Sequence, residues 1–132
     1  MTYQELVQTD DISETVPTKI NENFRKRSFL NVASKTASFT AWTDDAAGDP
    51  KDVYVCDSTS GSITVTLPDC TAGDALAGRT VTIIKEGSSN NVVIDGDGSQ
   101  TIGGATTVTL STQYHHRTLV SDGTEWYVIA SN

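Results

Sequence analysis

Few side chains in this 132-residue chain have the type and spacing that carry chemistry. Cys56 and Cys70 are the only cysteines. If residues 53–67 form a hairpin with its tip at 59–61, Cys70 lies roughly 20 Å along the strand direction from Cys56. That separation exceeds disulfide reach, so two free thiols are expected. Without matching histidines the pair makes no zinc site. His115 and His116 are adjacent, and on a strand adjacent side chains point to opposite faces. They cannot grip one metal from one chain. Asp95-Gly96-Asp97-Gly98 resembles the start of a calcium loop, but an EF-hand needs a Glu twelve positions from its first residue, and Thr106 stands there. A glycine-rich hairpin turn explains the stretch better. No G-x-S-x-G elbow occurs, and Asp44–Asp45 is an acidic pair in a loop. The reading is therefore a protein that is not an enzyme and has no cofactor and no metal.

The elements that would position any site are β-strands. Thr and Ser together supply a quarter of the chain, and Val and Ile add further β-branched positions. Thr, Val and Ile suit a pleated surface and argue against a helical bundle. No apolar run approaches the roughly 20 residues that span a bilayer, so no membrane partner is expected. The N-terminal stretch 1–30 lacks an apolar core of the secretory type, so no leader is expected and the thiols should be reduced. The formal net charge of −8 disfavours nucleic acid, which needs concentrated Lys and Arg.

That charge divides unevenly. Residues 1–35 hold five basic and five acidic side chains, whereas residues 36–132 hold four basic and twelve acidic ones. We therefore read an N-terminal anchoring or oligomerisation segment over 1–35, a connecting segment over 36–52 and a β-domain over 53–132. Val16, Ile20 and Phe24 recur every four residues, which predicts a short helix within 14–31. Pro17 is tolerated in its first turn, and Arg25, Lys26 and Arg27 complement the dipole at its end. Such a helix is marginal alone and needs a packing surface, either the chain's own β-domain, with the basic run solvated, or a docking or oligomerisation partner. Phe39 and Trp42 are expected to anchor the loop-rich connection.

From residue 53 onward short strands alternate with turn signals. Strands are predicted at 53–57, 62–67, 79–85, 91–94 and 107–110, with a closing hairpin of 117–120 and 126–130 around Ser-Asp-Gly-Thr. The strings ITVTL, TVTII and TVTL echo one another, but their spacing is unequal, which argues against a solenoid repeat. The fold expected is mostly β: a small antiparallel sandwich or barrel with a short N-terminal helix. Its outward threonine rows suit solvent or a wet contact between identical chains.

Several motifs resemble tailed-bacteriophage tail-fibre and related virion proteins. TKINENF (18–24) is similar to the K-I-N-x-N-F segment near the start of many such proteins. VYVCDSTSGSITVTLP, RTVTIIKEG, NNVVIDGDGSQTIGG and LVSDGTEWYVI resemble, in order, the small β-domain common among them. The resemblance implies a structural protein of a tailed-phage virion, made in the host cytoplasm and assembled as a homotrimer with other virion proteins as partners. It implies attachment through Ile20, Asn21, Asn23 and Phe24, with Arg25, Lys26 and Arg27 facing an acidic partner. The sequence reaches Asn132 directly after the closing strand, so the expectation is a short tail-fibre, collar or baseplate-associated adaptor, not a long shaft. Two alternatives are a capsid decoration or head-fibre protein, and a carbohydrate-binding module that recognises a host-surface glycan through Trp42, Trp126 and Tyr127.

Overall fold

A computed structural model describes residues 29–72 and 77–132. These residues fall almost wholly in one compact unit, Asn31–Asn132. Among the described residues nine strands build it: β1 Val32–Lys35, β2 Phe39–Thr40, β3 Val53–Cys56, β4 Ile63–Thr66, β5 Thr80–Lys85, β6 Val92–Asp95, β7 Thr107–Leu110, β8 His116–Ser121 and β9 Trp126–Ser131. The mostly-β expectation holds. The expected helix over 14–31 lies outside the described residues except at its last positions, and residues 29–31 are not helical.

The strands form two mixed sheets, one in the order β9-β8-β5-β3-β1 and the other in the order β2-β4-β6-β7. The expectation of purely antiparallel sheets is therefore corrected. β1, β3 and β5 pair in parallel in the first sheet, as do β2, β4 and β6 in the second. Successive strands alternate between sheets, so residues 53–67 are not a hairpin, and the chain winds through three coils in the manner of a solenoid. Then β7, β8 and β9 reverse direction and pair antiparallel. The echoed strings fall on β4, β5 and β7, so one connection separates the first pair and two separate the second, which makes their spacing unequal. Short corners (36–38, 57–62, 86–91) lead from the first sheet to the second, while longer loops (41–52, 67–79) lead back.

The central strands β3, β4, β5 and β6 bury alternate residues, as period-two patterning requires, whereas β9 buries only Trp126. Tyr54, Ile63, Val65, Val81, Ile83, Val92, Ile94, Leu119 and Trp126 are almost fully buried between the sheets. Phe39 packs on Tyr54 with ring centroids 4.7 Å apart, and Trp42 on Trp126 at 5.9 Å. The expected anchoring by Phe39 and Trp42 is thus observed. Two strands, β1 and β2, stand where the sequence showed only an apolar run and a connection.

The corners are stacked, and this stacking holds the coils in register. The Ser58 hydroxyl donates to Ser89 O at 2.8 Å, and Asn90 Nδ2 donates to Ser58 O at 3.0 Å. Gly87 packs so closely that an added Cβ would collide with the Ser58 and Thr59 backbone. The closing hairpin β8–β9 forms as expected, with Gly123 at φ +94° in its turn, a conformation glycine adopts without strain.

Candidate functional site

The seven expected anchoring residues (Ile20, Asn21, Asn23, Phe24, Arg25, Lys26 and Arg27) lie outside the described residues. The described chain starts shortly after them with Phe29 and Leu30, exposed at 72 % and 71 %, followed by Val32 at 53 %.

Cys56 and Cys70 are both buried and not bonded to each other. Burial raises the Cys56 thiol to about 12, with the Lys35 charge opposing the shift, and burial likewise raises Cys70. Neither is poised as a nucleophile, which needs an exposed and stabilised thiolate. Among the described residues no group of three or more His, Cys, Asp or Glu is placed to hold a metal ion. Asp95 ends β6, pairing with Thr66 and Thr107. Gly98 takes φ +56°, the left-handed turn conformation expected there, and an added Cβ at Gly96 would collide with the Gln100 carbonyl.

Trp126 is fully buried and donates through Nε1 to Pro68 O at 3.2 Å. Trp42 is 6 % exposed, with Arg79 over its ring at 4.5 Å. Neither ring presents a face to a ligand, so of the three aromatic platforms only Tyr127, at 40 %, is open.

One buried polar cluster escaped the sequence. Tyr54 is fully buried, yet its hydroxyl accepts from the Trp42 backbone N–H at 2.8 Å and donates to Asp45 at 2.5 Å. Lys35 Nζ stands 3.8 Å from the other Asp45 oxygen and 4.9 Å above the Phe39 ring. Trp42 holds φ +63°, rare for a non-glycine residue. Its ring Nε1 donates to Lys51 O at 2.7 Å. The cluster pins the 41–52 loop onto the core. Lys85 is also fully buried, its ammonium donating to the Gly87 and Ser89 carbonyls of the corner. These polar groups tie loops to coils; each has partners within the fold, which gives them a structural role.

The two sheets differ on their outer faces. The second sheet shows hydroxyls and a carboxylate outward: Thr40, Thr66, Asp95 and Thr107 lie in one row. The first shows Val32, Val53, Thr82, Thr118 and Ala130 in one row, and Ser34, Val55, Ile84 and His116 in the next. Thr80, Val120 and Tyr127 complete it. Among the described residues no Asp, Glu, Lys or Arg stands on this outer face. The Thr82 and Thr118 hydroxyls bond to each other at 2.9 Å, so even its polar groups are partly self-satisfied. The threonine rows read from the sequence thus split into two unlike surfaces.

No family model matches the chain. No characterised protein matches its sequence closely enough to lend a role.

Proposed function

We propose that this chain is a structural subunit of a tailed-bacteriophage virion: a homotrimeric tail-fibre, collar or baseplate-associated component that joins the particle through its N-terminal segment, residues 1–35. The motif order described above supports this reading. The observation that carries it is that the motifs of the resemblance fall in order on the strands of one unit: β3 and β4, then β5, then β6, then β8 and β9. The expected anchor, Ile20, Asn21, Asn23 and Phe24 with the basic run Arg25, Lys26 and Arg27, precedes this unit in the sequence. In this reading Phe24 fills a partner pocket and the three cations face an acidic surface.

The far end of the stack suits the same role. The reversing strands β7, β8 and β9 stand at it, and in this reading the opposite end is the one that attaches. A capsid decoration or head-fibre role uses the same architecture and is separated by copy number: hundreds on a head, a few to a few dozen on a tail.

Deleting residues 1–30 tests the proposal. The expected result is a soluble β-unit that no longer co-purifies with particles. Normal incorporation of the truncated chain would overturn it.

A further inference from the structure

We propose that the outer face of the five-stranded sheet is the surface through which copies of this chain meet. The chain carries a net charge of −8. Two such molecules repel unless they touch where the charge is absent. The outer face of β1, β3, β5, β8 and β9 is that place: among the described residues none of its side chains is Asp, Glu, Lys or Arg. The opposite sheet offers no equal alternative, because Asp95 stands in the middle of its outward row, between Thr66 and Thr107. Copies stacked through that sheet would bring carboxylates together.

The composition of the face selects the occupant. Val53, Val55, Ile84 and Val120 are half-buried by their sheet neighbours, and Val32 and Tyr127 at its margins are exposed. A foreign partner recognised here would have to bind without a single ion pair. A second copy meets this condition, because the copies of a homotrimer can turn this same uncharged face toward their threefold axis, where rows of Val and Thr meet with no charge left to pair. Depletion of charge at the centre with polar groups around it is the ordinary composition of a protein contact. The hydroxyls of Thr82 and Thr118 already satisfy each other, which lowers the desolvation penalty of covering them.

The face ends on an open strand. β9 pairs with β8 along one side, and Val128 and Ile129 on it are 38 % and 59 % exposed. An uncharged edge strand of this kind invites association unless it is covered. A contact that covers the face reaches this edge as well.

This inference rests on the reading of the chain as an assembly subunit, but its test is independent of any particle. Sedimentation equilibrium of the full chain at roughly 100 µM, where contacts of modest affinity are populated, should give a mass that is a multiple of 14.1 kDa. Val55→Lys and Thr82→Lys each place a charge on the face and should return the mass to that of one chain. Thr66→Lys, on the opposite sheet, should leave the assembly intact. Far-UV circular dichroism checks that each variant folds; should Val55→Lys not fold, Thr82→Lys, already polar and on a strand, carries the test. A wild-type mass equal to that of a single chain at this concentration would overturn the inference. So would face variants that stay assembled, since the contact would then lie elsewhere, in residues 1–30 for example. Failure of particle attachment leaves either outcome unchanged, so the two readings fail separately.

Discussion

The Tyr54 hydroxyl donates a 2.5 Å hydrogen bond to Asp45 Oδ2, joining the middle of β3 to a loop residue nine positions earlier. The hydroxyl oxygen also accepts from the Trp42 N–H. Tyr54→Phe keeps the ring and deletes both bonds, leaving a buried donor and a nearly buried carboxylate short of a partner. Stranding buried polar groups in this way should cost about 2–3 kcal/mol. Urea unfolding followed by tryptophan fluorescence measures it, because Trp42 and Trp126 report on this part of the core.

Alkaline pH should destabilise the fold in a defined window. The Cys56 thiol is raised from 9.0 to about 12, by burial first. Burial, followed by the Asp45 bond, also raises Tyr54 well above its ordinary 10.0. Both groups are neutral in the folded chain where the unfolded chain would ionise. The stability they contribute is therefore complete below about pH 9 and falls as pH rises toward 12. Each group adds a slope of at most about 1.4 kcal/mol per pH unit. Melting temperatures from pH 8 to 11 should begin to fall near pH 9, and Cys56→Ala should make the early part of that fall shallower.

Thiol labelling gives a separate check on burial. Cys56 and Cys70 are both fully buried, so a thiol reagent at pH 8 should label neither in the folded protein. Both should react once guanidinium unfolds it. Rapid labelling of folded protein would show that one of the two sits at the surface.

The stacked corners predict a contrast between two glycines. At Gly87 an added Cβ would strike the backbone of Ser58 and Thr59, whereas at Gly61 it would meet nothing within 4 Å. Gly87→Ala should cost about 1–3 kcal/mol, the usual range for forced overpacking. Gly61→Ala should be neutral or stabilising by up to about 1 kcal/mol through the unfolded chain. Thermal unfolding of the pair distinguishes the corner stack from an ordinary loose turn.

Strand positions were largely legible in the sequence because the buried faces alternate cleanly. ITVT in β4 and TVTL in β7 show the period directly, and Phe39 and Trp42 were recognisable as anchors. Strand pairing was not legible. Ser-Thr-Ser-Gly at 58–61 and Glu-Gly-Ser-Ser-Asn at 86–90 look like hairpin turns, yet both belong to corners that carry the chain to the other sheet. Nothing in turn composition separates the two, since both need small polar residues and open backbone. The bonds that decide it, such as Asn90 to Ser58, span 32 positions. The charged interior was equally hidden. Lys35 and Lys85 end their strands like ordinary solvent-facing lysines, and only the stack reveals that they flank Cys56 in one row. The expected anchoring residues, Ile20 to Arg27, lie outside the described residues, so their role rests on the sequence motif.

The central claim is the proposal that the chain is part of a tailed-phage particle, and searching for it in purified virions tests this most directly. Peptide quantification combined with a particle reconstruction should find the chain in a few to a few dozen copies at the tail, with the first coil toward its neighbours and the β7–β9 end away from them. Its absence from intact particles would contradict the account.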